Sequence, residues 1–140
     1  MNRELSIILP VHNEKESLNI MVRLLNSTLK LKKELIIVHD TLEDNSIETA
    51  NNLKIEYENI KVLHNKIGPG VKNAVQVGVE NSSYQTILIT AVDEVFPIIS
   101  IEKMLDEIIN NDKDFVSGTR YANGGARMGG SFLGSILSRT

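Results

Sequence analysis

The chain has 140 residues, the usual size of one domain and enough for a single hydrophobic core. Hydrophobic residues make up 41% and charged residues 24% of the sequence, an ordinary balance that excludes long-range disorder as the main state. The formal net charge of -3 gives no overall attraction for nucleic acid or anionic lipid. The chain has no cysteine, which excludes disulfides, thiolate metal sites and a cysteine nucleophile.

No stretch of the sequence approaches the roughly 18 consecutive apolar residues that a membrane-spanning helix needs. The apolar run near the N-terminus is interrupted by Pro10, His12 and Asn13 and is too short for a signal peptide. The lack of cysteine agrees with a reducing compartment. We therefore expect a soluble, cytoplasmic protein.

Predicted strands and helices alternate along the chain. Short apolar runs predict five strands, at Leu5–Val11, Glu34–Val38, Ile60–His64, Ile87–Thr90 and Asp114–Gly118. Apolar residues at helical spacing follow each of the first four strands, and a further helix is predicted to begin near residue 131. This alternation predicts an α/β fold, with an open, mainly parallel sheet that has helices on both faces.

The helices and the fourth strand carry more detailed signals. Asn13 and Glu16 have the spacing of a capping box for the first helix, and the lysines of residues 30–33 are expected to close it. Gly78, on the same stripe as Val71 in the third helix, is expected to be a close-packing position. The fourth helix is predicted over residues 98–110. Because the fourth strand has no charged residue, we expect it to be buried on both faces.

Polar segments follow three of the predicted strands at their carboxyl ends, where open α/β sheets bind ligands. These segments are Pro10–Glu14, residues 39–40 and Ala91–Glu94. A glycine turn at Gly68–Gly70 is expected to border them. The arrangement predicts a ligand site at one edge of the sheet. The alternative is that Asp93 and Glu94 only solvate a loop or cap the next helix.

Five motifs occur in a fixed order along the chain. They are Pro10-Val11-His12-Asn13-Glu14; Val38-His39-Asp40 with Asp44; Lys66-Ile67-Gly68-Pro69-Gly70 with Ala74 and Gly78; Ala91-Val92-Asp93; and Gly118-Thr119-Arg120-Tyr121 followed by Gly124-Gly125 and Ser138-Arg139. Together they resemble the P-x-x-N-E, V-D-D-x-S-x-D, K-x-G-x-G, D-x-D and G-T-R-Y series of inverting family 2 glycosyltransferases with the GT-A fold. The resemblance is greatest to the dolichyl- and polyprenyl-phosphate mannosyl- and glucosyltransferases.

This resemblance implies that residues 1–140 form a single, truncated domain, the Rossmann-like nucleotide-sugar-binding half of such an enzyme. The implied function is transfer of a hexose from a GDP- or UDP-sugar to an acceptor, a polyprenyl phosphate at a membrane surface. No nucleic-acid partner is implied. Catalytic domains of the family continue for many tens of residues beyond the segment that this chain matches.

The resemblance also implies which residues form the site. The nucleotide sugar would be bound by Pro10, Val11, Asn13, Glu14, His39, Asp40, Lys66, Gly68, Gly70, Ala91, Val92 and Asp93. Asp93 would hold Mg²⁺ or Mn²⁺, which stabilises a diphosphate leaving group. Arg120 and Ser138 would bind the acceptor phosphate, because a guanidinium matches phosphate oxygens well. No catalytic base is assigned, because the acceptor oxygen is already ionised.

Each assignment has a structural alternative. Asp40 has the character of a helix-capping residue, and His39 that of an ordinary half-buried side chain at a strand end. The turn that carries Lys66 is equally typical of a plain connection. Arg120 has the character of a surface ion-pair partner.

Four positions depart from the family pattern. His39 and Ala91 stand where the family has aspartates, Val95 replaces a polar residue and Gly134 replaces an arginine. Only the last carboxylate of the D-x-D motif therefore remains.

These departures favour an alternative function, a degenerate and non-catalytic binding or interaction module. A nucleotidyltransferase or phosphate-binding regulator is a third class, although the first loop lacks the glycines and arginines typical of it. An uncovered sheet edge predicts a homo-oligomer.

Overall fold

The computed structural model describes residues 3–118. The chain divides into two compact units, with the boundary between Glu102 and Lys103. The elements in chain order are β1 (Glu4–Val11), α1 (Lys15–Thr28), β2 (Lys32–His39), α2 (Ser46–Glu56), β3 (Ile60–His64), α3 (Val71–Glu80), β4 (Ile87–Ile89), a 3₁₀ helix (Phe96–Ser100) and α4 (Ile101–Asn110). Within residues 3–118, no helix is both long enough and apolar enough to cross a membrane.

The four strands form one parallel sheet in the order β3-β2-β1-β4. Side chains alternate between the two faces of each strand. Leu35 and Ile37 of β2 therefore belong to the core beneath α1 and α2, whereas Ile36 and Val38 belong to a smaller core that includes Ala74 of α3. The predicted α/β class, a parallel sheet with helices on both faces, is confirmed.

Gly78 lets α3 lie close to the centre of the sheet. A Cβ atom added at this position would lie 2.5 Å from Cγ2 of Ile8 on β1. Real Cβ atoms do not approach other atoms this closely, so the contact requires glycine. The predicted close-packing role of Gly78 is confirmed, whereas Val71 on the same predicted stripe is exposed.

The predicted ends of the first helix are wrong. The N-cap residue of α1 is Glu14 rather than Asn13, because Asn13 adopts a left-handed backbone with φ 59° and its Oδ1 accepts a hydrogen bond from the Asn45 backbone. At the other end α1 stops at Thr28, before the lysines. Residues 32 and 33 already belong to β2, where pairing with β1 provides their backbone hydrogen bonds.

The fourth and fifth strands also differ from the prediction. Among the described strands β4 pairs only with β1, so it lies at a sheet edge and Ile89 is 53% exposed instead of buried. The predicted strand at Asp114–Gly118 does not form, and its largest apolar side chain, Phe115, is 82% exposed. The predicted fourth helix begins with a separate 3₁₀ turn that contains Pro97. The glycine-rich segment and the helix predicted near residue 131 lie outside the described residues.

Candidate active site

The carboxyl ends of the parallel strands bring the predicted polar segments to one edge of the sheet. Val11, His39 and His64 occupy the same register position on β1, β2 and β3. On the other side of β1, the Thr90 backbone N–H donates to the Ile8 carbonyl at 3.2 Å, which aligns the residues after β4 with this edge. The predicted convergence of the segments after β1, β2 and β4 is confirmed.

The segment after β1 is fixed to the segment that leads into α2. The backbone N–H of Asn13 donates to Asp44 Oδ1 at 3.1 Å, and that of Glu14 donates to Ser46 Oγ at 2.9 Å. The Asn45 N–H returns a bond to Asn13 Oδ1 at 3.1 Å. Three hydrogen bonds between segments about 30 residues apart therefore set the backbone path of residues 13–14.

Asp44 is a buried carboxylate at the centre of these bonds. Its Oδ1 also accepts from the Ser46 backbone at 2.8 Å, and its Oδ2 is buried without a hydrogen-bond partner among residues 3–118. Burial alone raises the pKa of Asp44, but hydrogen bonds from Ser46 and Asn13 outweigh burial and hold that pKa below its ordinary value. Asp44 is therefore ionised at neutral pH.

A second carboxylate, Asp40, connects the end of β2 to the glycine turn. Its Oδ1 accepts from the Asn65 side-chain amide and its Oδ2 accepts from the Gly70 backbone N–H, both at 2.7 Å. Gly68 and Gly70 have φ values of 141° and 120°, which residues with a side chain rarely adopt. Asp40 therefore fixes Gly70, which is the N-cap residue of α3. The N-cap residue of α2 is Asn45, so Asp40 itself is not the N-cap residue of either helix.

Two histidines stack at the ends of β2 and β3. The rings of His39 and His64 are nearly parallel, with centroids 5.1 Å apart. His39 Nδ1 lies 2.9 Å from the Thr41 carbonyl and His64 Nε2 lies 3.3 Å from the Asp40 carbonyl, so these two nitrogens carry the protons. His39 is buried, and its Nε2 keeps a lone pair when the ring is neutral.

Glu14 follows β1 and Asp93 follows β4, and the two side chains are close enough for their charges to interact. Burial raises the pKa of Glu14, and the negative charges of Asp93 and Asp44 raise it further, while a hydrogen bond from the His12 backbone opposes the rise. Asp93 itself is exposed, next to the fully buried Val92.

A hard divalent cation fits this region only as a weak site. Asp93 offers exposed carboxylate oxygens, and positive charge there would relieve the repulsion on Glu14. Ala91 offers no ligand, and residues 3–118 contain no group of three His, Cys, Asp or Glu side chains placed to hold a metal. Phosphate oxygens of a bound substrate would have to complete such a site.

The remaining predicted residues divide into three groups. Pro10 and Val11 are the last two residues of β1, and the side chain of Val11 is buried. Lys66 is exposed on the glycine turn, and Ala91 is exposed after β4. Arg120 and Ser138 lie outside the described residues.

Three polar residues of this edge were absent from the predicted site: Asp44, Ser46 and Asn65. Asp44 entered the sequence analysis only as part of a motif, and Ser46, the first residue of α2, was not named there. The side chain of Asn65 gave no separate signal, because turns rich in Asn and Gly are common.

Comparison with known proteins places this geometry in a family. The sequence matches the model of Glycosyl transferase family 2 over residues 6–131, which is most of the chain. The chain belongs to this family. The resemblance seen in the short motifs is thereby confirmed.

Relatives of this family 2 chain include dolichol-phosphate mannosyltransferases. The protein of that name from Pyrococcus furiosus is 29% identical over 137 residues, which cover 97% of this chain and 38% of the relative. The Saccharomyces cerevisiae protein is 28% identical over 128 residues, which cover 89% of this chain and 47% of the relative. The chain thus spans less than half the length of these relatives.

Solved structures with the same fold include glucosyl-3-phosphoglycerate synthase from Mycobacterium tuberculosis. Its complex with Mn²⁺, UDP-glucose and phosphoglyceric acid superposes with a TM-score of 0.64 at 15% identity, over 79% of this chain and 41% of the synthase chain. The likeness confirms the GT-A type of α/β fold that the motifs implied.

Proposed function

We propose that this family 2 chain is the nucleotide-sugar-binding domain of a glycosyltransferase that moves a hexose from a GDP- or UDP-sugar to a polyprenyl phosphate. The observation that carries the proposal is that Asp40, Glu14 and Asp93 follow three parallel strands at the carboxyl edge of the sheet. Hydrogen bonds join Asp40 to Gly70 and Glu14 to Ser46, and the charge of Asp93 acts on Glu14. Open α/β sheets bind ligands at this edge. The dolichol-phosphate mannosyltransferase relatives support the acceptor class.

In this proposal Asp40 and His39 bind the base and ribose. Each carboxylate oxygen of Asp40 accepts one protein hydrogen bond and has a second lone pair for a ribose hydroxyl or base N–H. His39 Nε2 offers one further acceptor. The backbone of residues 10–14 and the turn carrying Lys66, Gly68 and Gly70 complete the nucleotide site.

Asp93 is proposed to hold Mg²⁺ or Mn²⁺ together with the substrate diphosphate, with Ala91 and Val92 lining the same loop. The cation would neutralise charge on the leaving group when bound. One or two protein carboxylates suffice for Mg²⁺ when phosphates and water supply the other ligands.

The acceptor phosphate is proposed to bind Arg120 and Ser138. An ionised phosphate oxygen attacks the anomeric carbon, a new carbon–oxygen bond forms and the bond to the nucleoside diphosphate breaks. No general base is required, because the attacking oxygen carries no proton. The proposed location is cytoplasmic, at the surface of the membrane that contains the lipid acceptor.

Isothermal titration calorimetry with GDP, UDP, GDP-mannose and UDP-glucose, with and without Mn²⁺, tests the nucleotide site. We expect one base to bind and Asp40→Asn to weaken that binding, with Glu56→Gln on α2 as a control with a similarly small change. Absence of binding to all four compounds by a folded chain would contradict the proposal.

A degenerate binding module is the second candidate, favoured by the exposed Ala91 in place of a metal ligand. The variant Ala91→Asp distinguishes the two functions. Degeneracy predicts that the unaltered chain binds no Mn²⁺ in the presence of nucleotide and that Ala91→Asp gains binding. An active site predicts Mn²⁺-dependent nucleotide binding already in the unaltered chain.

A further inference from the structure

Asn65 is a buried polar side chain in a glycine turn whose other residues are largely exposed. It follows β3 and is 3% exposed. Its side-chain N–H groups donate to Asp40 Oδ1 at 2.7 Å and to the Gly68 carbonyl at 2.6 Å, and its Oδ1 accepts from the Ile67 backbone at 3.1 Å. Its own backbone N–H donates to the His39 carbonyl at 2.8 Å.

These bonds connect the Asp40 carboxylate to the turn at two points. Asn65 holds one carboxylate oxygen, and Gly70 holds the other. The same Asn65 amide fixes the carbonyl of Gly68, which also accepts from the Asn73 side chain at 3.0 Å. The orientation of the carboxylate and the conformation of the turn therefore depend on each other.

We propose that Asn65 is a positioning residue for nucleotide binding, acting through Asp40 and the glycine turn. The effect on affinity rests on the proposed function of the site, whereas the effect on the turn does not. Without the Asn65 amide, the Asp40 carboxylate loses one of its two hydrogen-bond donors. The Gly68 carbonyl also loses one of its two donors and keeps only the Asn73 side chain. The carboxylate then keeps only the bond from the Gly70 N–H, so its orientation is less well fixed and a ligand has to order it on binding.

The chain provides a matched control at the other end of the same strand. Asn59 precedes β3 as Asn65 follows it, is half-buried and donates to Asn26 Oδ1 at 3.0 Å. The substitutions Asn65→Ala and Asn59→Ala remove the same atoms, one at the carboxyl edge of the sheet and one at the opposite edge.

The first measurement is affinity for the nucleotide that binds the unaltered chain, by calorimetry. We expect Asn65→Ala to raise Kd several-fold, up to about tenfold, because the ligand then has to order the Asp40 side chain on binding. Asn59→Ala should leave Kd within about twofold, because distant sites act independently. Equal affinity in Asn65→Ala and the unaltered chain would overturn the proposal.

A double-mutant cycle with Asp40→Asn tests whether Asn65 acts through Asp40. In the Asp40→Asn background, Asn65→Ala should add much less than in the unaltered chain, because the shared interaction is already weakened. Full additivity of the two effects would refute action through Asp40.

The second measurement is hydrogen exchange at the Gly70 amide, which needs no ligand. We expect about tenfold faster exchange in Asn65→Ala and unchanged exchange in Asn59→Ala.

If the unaltered chain binds none of the four nucleotide compounds, the proposed function fails, and this measurement alone decides the role of Asn65 in the turn. If Asn65→Ala does not fold, Asn65→Ser replaces it, since serine lacks both amide N–H donors and adds no charge beside Asp40; unchanged exchange in the folded variant would overturn the proposal.

Discussion

Glu34 provides a sharp test of what holds the sheet together at the end opposite the candidate site. This β2 carboxylate has a side chain only 8% exposed. It accepts hydrogen bonds from Ser6 Oγ at 2.6 Å and from both the backbone and the hydroxyl of Ser83, and it pairs with Lys61 Nζ at 2.7 Å. One side chain therefore joins β1, β2, β3 and the segment before β4.

The substitution Glu34→Gln keeps the shape but removes the charge and turns one acceptor into a donor. Breaking a buried ion pair costs about 3–5 kcal/mol. Lys61 is 40% exposed and regains water when its partner is lost, so we expect a loss of about 2–3 kcal/mol. For a domain of this size, that corresponds to a decrease in Tm of roughly 6–10 °C.

Thermal and urea unfolding, followed by circular dichroism, measure this loss. The matched control is Glu56→Gln, which makes the same change in a bidentate pair with Arg23 whose two side chains are about half exposed. The control should cost less than about 1 kcal/mol. Equal losses in the two variants would refute the argument that burial, rather than the number of bonds, sets the contribution of Glu34.

The pH dependence provides an independent check with a defined sign. Burial raises the pKa of Glu34, but hydrogen bonds from Lys61, Ser6 and Ser83 outweigh it and hold the pKa below its ordinary value. A carboxyl with a lowered folded-state pKa stabilises the fold above its unfolded pKa, and this stability is lost as pH falls through the folded pKa. Glu34→Gln should therefore be least stable relative to the unaltered chain near neutral pH, and the difference should shrink in acid.

Three further predictions concern other parts of the chain. Gly78→Ala should lower the free energy of unfolding by about 1–3 kcal/mol, because its Cβ meets Ile8, and urea unfolding measures this. Glu14→Gln should raise Tm at pH 7, because burial and the charges of Asp93 and Asp44 disfavour its ionised form; a lower Tm in scanning calorimetry would contradict this. Among the described strands β4 has no partner on its outer side, and this edge should make the chain a homo-oligomer; a monomer across a wide concentration range in light scattering would reject that.

Local patterns in the sequence were sufficient to predict most of the fold. Short apolar runs were enough to predict the four strands, because the central residues of β1 and β2, residues 7–9 and 35–38, are all apolar and fully buried. The same patterns failed at Asp114–Gly118, where only two apolar residues occur and Phe115 stays exposed. A run that short does not reveal whether a neighbouring strand is available to pair with it.

The candidate site was predictable as a place but not as a set of contacts. The carboxyl-edge rule located residues 10–14, 39–40 and 91–94 because it depends only on strand direction. The bonds that Asp40 accepts from Asn65 and Gly70, and the bond that Asp44 accepts from Asn13, join residues 25 to 31 positions apart. Local propensity instead favoured an Asn13 capping box, which these tertiary bonds override.

The two positions at which the sequence departs from the aspartates of the resembled motifs, 39 and 91, differ in their surroundings. His39 stacks on His64, its register partner on β3, and bonds to the Thr41 carbonyl, so the departure at position 39 comes with compensating contacts. Ala91 is exposed on the loop that carries Asp93, and its methyl group offers nothing to a cation. Because position 39 is buried whereas position 91 faces solvent, we expect Ala91→Asp to add a carboxylate near Asp93 with little effect on stability. Cation affinity at position 91 is therefore the measurement that separates an active transferase from a binding module.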